Sequence, residues 1–138
     1  MFFLKLFVAT HVALYRLTKG AIGASMRGGK ILLLTTTGNQ SGKSRTVPVM
    51  QFDDEGKRYV IGSFNGAPQD PAWIKNLRKT PVVGVEVRGE KYRAQATELS
   101  GDERNRVFER VKAAAPGFAE YEKKTTRQIP VVLLTPVN

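Results

Sequence analysis

The chain has 138 residues, of which 41% are hydrophobic, and a formal net charge of +10 at pH 7. This length predicts one domain, residues 1–138, that buries a core of its own. The sequence has no cysteine and a single histidine, His11, which excludes a disulfide framework, a thiolate nucleophile and a multi-histidine metal site. We therefore expect no metal and a reducing, cytoplasmic location.

The positive charge is concentrated at the front of the chain, because every charged residue before Asp53 is basic. These residues are Lys5, Arg16, Lys19, Arg27, Lys30, Lys43 and Arg45. Such asymmetry indicates an anionic partner, which a membrane surface, a nucleic acid or a phosphorylated, polyacidic small molecule would each provide. Zinc-finger spacing, RNA-recognition aromatic motifs and a helix-turn-helix pattern are missing from the sequence, so we expect no nucleic acid partner.

Residues 2–22 read as an amphipathic helix that is apolar except for one basic stripe formed by Lys5, Arg16 and Lys19. These charges argue against a membrane span, and the basic leader and cleavage site of a signal peptide are missing. One interpretation is a helix that lies on an anionic membrane, peripherally at the inner face of the plasma membrane, or that covers an apolar substrate site. The other is a helix packed on the core or on a partner subunit. A glycine-rich link then completes residues 1–29.

From residue 30 to residue 138 the pattern predicts a barrel. Runs of β-branched and apolar residues between turn residues predict six strands, over residues 30–37, 45–52, 58–64, 82–88, 91–99 and 129–135. The turn that ends in Gly56 joins the second and third of them as a hairpin. Short strands with few helices indicate an α+β fold, most economically a small antiparallel barrel.

Capping residues locate the helices. Asp70 as N-cap, with Pro71 at the first helical position, predicts a helix over residues 71–78. Ser100 and Glu103 have capping-box spacing and predict a helix to about residue 114. A short helical piece through residue 121 follows.

The loop between the first two strands has the composition of an anion site. Gly38 and Gly42 allow successive N–H groups to converge, and Lys43 and Arg45 add positive charge beside them. Only three residues separate the glycines, and a strand rather than a helix follows, so this is not a nucleotide-binding P-loop. We expect a phosphate here, while a hairpin turn with solvated basic residues remains the alternative.

The usual hydrolytic side-chain sets are missing, so we expect a bound cofactor to supply the chemistry. Residues 63–67 form a small-residue loop that would admit a flat ring. Trp73 and Asn76 share a helix face behind it, and Phe118 and Tyr121 are also three residues apart. The Tyr121 hydroxyl is a candidate hydrogen-bond or proton donor. Core packing is the alternative for each aromatic residue.

These residues resemble a family, the deazaflavin-dependent nitroreductases of actinobacteria. The matching stretches are LLTTTG at residues 33–38, SGKSR at 41–45 with Pro48, Gly66-Ala67 with PAW at 71–73, NL at 76–77 and TRQIP at 126–130. The resemblance covers nearly the whole chain from Leu17 onward. It implies a split β-barrel like that of the flavin-mononucleotide and pyridoxamine-phosphate oxidases, and the coenzyme F420, which carries a phosphate and an oligoglutamate tail.

The resemblance also implies roles for individual residues. The tail of the coenzyme would contact Ser41, Gly42, Lys43 and Arg45. Its ring and ribityl chain would contact Val49, Met50, Gly62, Ser63, Gly66, Ala67, Trp73 and Asn76, with further coenzyme contacts at Gly38, Asn39, Gln40, Pro48, Phe64 and Asn65. Phe118 and Tyr121 would lie on the substrate side, with Tyr121 and Ser63 as catalytic candidates.

The implied activity is hydride transfer from the reduced deazaflavin to a quinone, nitroaromatic or enone, by a monomer or homodimer. Four positions depart from the family pattern, since Asn39-Gln40 replaces Arg-Lys, Phe64 replaces a frequent lysine, and Phe118 replaces a hydroxylated aromatic residue. The lost charges motivate an alternative, a non-catalytic protein of the same fold that binds the coenzyme, a lipid or a haem-like ligand. A flavin-mononucleotide oxidoreductase is a further alternative.

Overall fold

The computed structural model describes residues 8–10, 12–13, 16, 25–26 and 29–137. The strands are β1 (Ser25–Met26), β2 (Gly29–Thr37), β3 (Ser44–Asp54), β4 (Lys57–Ile61), β5 (Val82–Val87), β6 (Glu90–Glu98) and β7 (Val131–Val137). The helices are α1 (Ala72–Lys79), α2 (Gly101–Ala114) and α3 (Gly117–Lys124), and Phe64–Gly66 forms a 3-10 turn. The predicted strands and helices are therefore confirmed, with shifts at their ends.

The strands form one antiparallel barrel. Their order is β1-β2-β3-β4-β7-β6-β5, and β2 also pairs with β5, which closes the sheet. The hairpin between β3 and β4 turns at Glu55 and Gly56, which both have positive φ, at 52° and 76°. Such mirror-image turns match the twist of a hairpin. The predicted six-stranded antiparallel barrel of α+β class is confirmed, with β1 as a two-residue addition at its edge.

Side chains alternate between two hydrophobic clusters because successive strand residues point to opposite faces. The interior cluster contains Leu32, Leu34, Val49, Val60, Ile74, Leu77, Val83, Val85, Ala94, Ala96, Val132 and Leu134. The outer cluster, between the barrel and helices α2 and α3, contains Tyr59, Ile61, Leu99, Val107, Phe108, Val111, Phe118, Ile129 and Val131. Helix α1 contributes Ile74 and Leu77 to the interior, so it is packed against the barrel core.

Two predicted boundaries were wrong, for reasons of tertiary contact. Strand β4 ends at Ile61 rather than at residue 64, because its partner β7 begins only at Val131, after Pro130, which has no N–H to donate, and Phe64 adopts a φ of 46°. Asp70 is not the N-cap of α1; Pro71 occupies that position, without a side-chain cap. The Asp70 carboxylate instead pairs with Arg127 at 2.9 Å and Arg78 at 3.2 Å.

The described residues of the first helix pack on the outside of the barrel. Residues 8–10, 12–13 and 16 are helical, and Val12 contacts the buried Leu33 on β2. Arg16 Nε donates to Glu86 Oε1 at 3.0 Å, and Glu86 is the β5 neighbour of Leu33. This supports the interpretation of a helix packed on the core. The rest of the predicted helix lies outside the described residues, and no helix among the described residues could cross a membrane.

Candidate functional site

The barrel is open along half of one strand. Strand β4 pairs only with residues 51–54 of β3, whereas β2 pairs with β3 over residues 44–51. In the region from residue 29 to residue 137, no strand pairs with the other edge of residues 44–49 of β3. After Ile61 the chain leaves the sheet through residues 62–71 and enters α1. An unpaired strand edge offers backbone N–H and C=O groups to a ligand.

One end of this open edge carries the glycine turn, residues 38–43. Gly38 N–H donates to Lys43 O at 2.8 Å, and Gly42 N–H donates to Gly38 O at 2.9 Å. Gly42 has a φ of 71°, and a Cβ at Gly38 would lie 2.6 Å from Ser41 Oγ. Positive φ favours glycine at position 42, and the close approach of Ser41 Oγ favours it at position 38. The N–H groups of Gly38, Gly42 and Lys43 bond to atoms of the turn itself, so the predicted convergence of N–H groups on a ligand stays a prediction. Gln40 and residues 41–45 are exposed, so the turn presents its polar groups to solvent.

Helix α1 anchors the glycine turn through a buried amide. Asn76, 5% exposed, accepts a hydrogen bond from Asn39 N–H at 3.0 Å and donates to Thr36 Oγ1 at 2.9 Å. Lys79 Nζ donates to Asn39 O at 2.8 Å. The resemblance implied that Asn76 contacts the ring and ribityl chain, which stays a prediction; in the structure its amide bonds to the turn. Lys79 was missed, although it lies three residues after Asn76 and therefore near the same helix face.

The cations around the glycine turn have no carboxylate partners. Among the described residues, Lys43, Arg45 and Lys79 form no ion pair; other basic residues away from the turn, such as Lys57 and Lys91, form none either, so what marks the turn is that three such cations lie close together around it. Positive charge without a counter-charge attracts an anionic ligand. This supports the predicted preference of the turn for a phosphate or a polyacidic group.

The second predicted loop, residues 63–67, forms one segment with Gly62, residues 62–67, that packs tightly against two helices. A Cβ at Gly62 would lie 3.0 Å from Ile74 Cγ1 on α1. Gly66 has a φ of 77°, and a Cβ there would lie 2.8 Å from Tyr121 O on α3. The loop thus brings Tyr121 next to the segment that the sequence predicts to hold a ring. Ser63 is buried, Ala67 is half-buried and Phe64 is 52% exposed.

Arg127 holds this loop from the connection between α3 and β7. Its guanidinium donates to three backbone carbonyls, Ala67 O at 2.8 Å, Gly62 O at 3.1 Å and Ser63 O at 2.7 Å. It also pairs with Asp70. Arg127 lies in one of the stretches that match the family, but its role could not be predicted, because nothing in the local sequence shows that it reaches residues about 60 positions away.

The aromatic pair on α3 is divided between core and surface. Phe118 and Tyr121 make an edge-to-face contact with ring centroids 5.8 Å apart. Phe118 is 3% exposed and belongs to the outer cluster, whereas Tyr121 is partly buried at its border. Tyr121 is therefore the member of the pair that a bound molecule would reach, and Phe118 supports it.

The remaining predicted residues lie on β3 and α1. Val49 is buried in the interior cluster, and Trp73 packs against that cluster from α1. Met50 points to the other face, where it packs against the outer cluster that Tyr121 also borders. Pro48 is half-buried beside it on the same face of β3. Residue 65 is part of the 3-10 turn, and its predicted side-chain contact lies outside what the structure describes.

Comparison with known proteins shows which family the chain belongs to. A sequence model of the F420H(2)-dependent quinone reductase family matches residues 7–136. The chain belongs to this family. The F420H(2)-dependent quinone reductase Rv1261c of Mycobacterium tuberculosis is 32% identical over 129 residues, which cover 91% of this chain and 87% of that protein.

Similar solved structures agree with this family assignment. An F420-H2 dependent reductase, FDR-A, is 39% identical, with a TM-score of 0.67 over 75% of this chain and 92% of its own. A structure described as a domain-swapped dimer is 34% identical, with a TM-score of 0.71 over 91% of this chain and 92% of its own. A Listeria innocua structure described as a pyridoxamine 5′-phosphate oxidase, 12% identical with a TM-score of 0.53 over 78% of this chain and 84% of its own, supports the fold alone.

The family membership confirms the predicted class and cofactor. The protein is an oxidoreductase whose cofactor is reduced coenzyme F420. The fold predicted from the resemblance is also confirmed. The matching family is named for quinones, which were among the predicted acceptors, rather than for nitro compounds.

Proposed function

We propose that this protein transfers a hydride from reduced coenzyme F420 to a quinone-type acceptor bound near Tyr121. The observation that carries the proposal is the glycine turn of residues 38–43, which Asn76 anchors and which Lys43, Arg45 and Lys79 surround with unpaired positive charge. The coenzyme has a phosphate and an acidic tail, so this turn and its cations fit that end of the molecule.

The open edge of β3 and the loop of residues 62–67 fit the other end of the coenzyme. Glycines at 62 and 66 keep side chains out of this loop, and the edge leaves backbone groups of β3 available. In our proposal Pro48, Met50 and Trp73 contact the ring and ribityl chain. Val49, Asn76 and Phe118 are buried, and we assign them supporting roles behind those contacts.

When bound, the reduced deazaflavin supplies the hydride. The chain holds the tail at the glycine turn, orients the ring against the loop of residues 62–67 and keeps water away with the outer cluster. A quinone that accepts a hydride needs one proton to become a hydroquinone. We assign that proton to the Tyr121 hydroxyl or to water beside it, because the Tyr121 backbone contacts Gly66 of the loop and the residue is only partly buried. Ser63, the other catalytic candidate, is buried, which favours a role in holding the ring.

The lost charges at Asn39, Gln40 and Phe64 motivated a non-catalytic alternative. Lys79 replaces part of this missing positive charge, because its ammonium group lies 2.8 Å from Asn39 O, where the family pattern has a basic residue. We therefore keep the reductase as the proposed function. Whether the chain forms a dimer, as the structure described as domain-swapped does, stays a prediction.

The proposal is tested by anaerobic turnover. Purified protein is mixed with reduced F420 and menadione, and the return of the visible absorbance of the oxidised coenzyme is followed. We expect oxidation that depends on both protein and quinone and that falls on the order of 100-fold or more in Tyr121→Phe, as loss of a general acid would cause. Coenzyme that binds but is never oxidised by any quinone or nitro acceptor would favour the non-catalytic alternative.

A further inference from the structure

Arg127 uses its guanidinium to hold backbone rather than ligand. Its side chain is 13% exposed and donates to Gly62 O, Ser63 O and Ala67 O, while Asp70 balances its charge. Three carbonyls of a six-residue loop are thus turned toward one side chain. The planar fork of donors in arginine suits such multiple bonding, which a lysine cannot reproduce.

The direction of these carbonyls fixes the direction of two N–H groups. In a trans peptide the C=O and the following N–H point to opposite sides, and the described residues contain no cis peptide. Because Gly62 O and Ser63 O face Arg127, the N–H groups of Ser63 and Phe64 point away from it. The third carbonyl, Ala67 O, precedes Pro68, which has no N–H. Within residues 29–137 the structure gives neither N–H a hydrogen-bond partner.

We propose that Arg127 is a positioning residue that aims the Ser63 and Phe64 N–H groups at the ring of the coenzyme, an inference that rests on the proposed function. The backbone of Phe64 supports it. Phe64 has a φ of 46°, a strained conformation for a bulky residue, and its side chain is 52% exposed rather than held by packing. Such strain persists where the surroundings impose it, and the Arg127 contacts on both sides of Phe64 do so.

The shared partner Asp70 provides a matched control. Arg78 pairs with the other oxygen of Asp70, at 3.2 Å, and otherwise contacts Glu98 at the surface. Arg127→Lys and Arg78→Lys therefore each replace an arginine that pairs with Asp70 by a lysine. Both variants keep the positive charge next to Asp70, but only Arg127→Lys removes the hydrogen bonds to the loop carbonyls.

The experiment first measures binding of oxidised F420 to the wild type, then follows its Ser63 and Phe64 amide signals by NMR during the titration. We expect both signals to move. We further expect Arg127→Lys to lower kcat with menadione on the order of 10- to 100-fold, as misplacement of a reacting ring does. Its Kd for the coenzyme should stay within about twofold, because the glycine turn is untouched. Arg78→Lys should change neither quantity.

The possible failures are distinguishable. A wild type that does not bind the coenzyme would overturn the proposed function and this inference with it. A wild type that binds the coenzyme while the Ser63 and Phe64 amide signals stay fixed would overturn this inference alone. Because this NMR measurement uses only the wild type, it tests the inference even if Arg127→Lys does not fold. A folded Arg127→Lys with the kcat of Arg78→Lys would also overturn it.

Discussion

The backbone N–H of Asn39 donates to the buried amide oxygen of Asn76 at 3.0 Å, across 37 residues of sequence. This contact joins the exposed turn that would hold an anion to the helix packed against the barrel core. A turn with exposed glycines is mobile unless such a contact fixes it, and binding of a charged tail to a fixed turn requires less ordering. The helix therefore determines the shape of the site as well as the stability of the core.

Replacing Asn76 tests this relationship. Asn76→Ala leaves Asn39 N–H and Thr36 Oγ1 without their partner, and each buried group that loses its partner costs about 1–3 kcal/mol. We expect a lower free energy of unfolding in urea and weaker coenzyme binding. The control is Gln69→Ala, an exposed amide side chain that forms no hydrogen bond with the described residues, for which both quantities should stay near the wild type. Equal effects of the two substitutions would contradict the anchoring role.

Lys79 is the missed cation of the site. Lys79→Gln removes the ammonium group that bonds to Asn39 O, and we expect coenzyme affinity to fall by about 0.5–1 kcal/mol, which is a two- to fivefold change. The difference should shrink at high salt, because exposed charges are screened. Lys91→Gln, at the opposite end of the barrel, is the control. Identical Kd values for the two variants across salt concentrations would remove Lys79 from the site.

Gly66 and Gly56 offer a comparison at nearly equal backbone geometry. Their φ values are 77° and 76°, but a Cβ at Gly66 would meet Tyr121 O at 2.8 Å, whereas one at Gly56 would meet nothing within 4 Å. Gly56→Ala should cost about 1–2 kcal/mol for the left-handed conformation alone. Gly66→Ala should cost about 1–3 kcal/mol more, because the clash displaces α3 from the loop. Urea denaturation measures both, and equal losses would show that the loop does not pack against α3 as described.

Acid destabilisation should depend on Glu98. Hydrogen bonds from Arg78 lower the pKa of Glu98 below its usual value, so the carboxylate stabilises the folded state above the unfolded pKa of about 4.3. That stabilisation is lost as the pH falls through the folded pKa. We expect the free energy of unfolding to decline less steeply with acid in Glu98→Gln than in the wild type below about pH 5. Parallel declines would exclude this pair as a source of acid sensitivity.

The sequence was most informative where the deciding contacts are local. Gly38 and Gly42 marked their turn, and Gly56 marked the β3–β4 hairpin, because positive φ and close approach belong to those residues themselves. The alternation of apolar residues likewise located the strands. The resemblance to a family, rather than periodicity, led to the coenzyme.

Prediction failed where a distant side chain decides the local structure. Phe64 reads as a strand residue, but Arg127 holds the loop around it from more than 60 residues away. Asp70 reads as an N-cap, but Arg127 and Arg78 take its carboxylate. Asn76 shares a helix face with Trp73, yet its partner lies 37 residues earlier in the chain. No local pattern encodes such pairings.

The most direct test of the central claim, that the glycine turn and its cations hold the acidic end of coenzyme F420, is a titration with the oxidised coenzyme followed by the fluorescence of Trp73. We predict quenching for the wild type, and an affinity at least about tenfold weaker for Arg45→Ala, since charge-assisted hydrogen bonds contribute about 1.5–3 kcal/mol. Lys57→Ala, at the far hairpin, should bind as the wild type does. No quenching at roughly tens of micromolar coenzyme, or equal losses in the two variants, would contradict the claim.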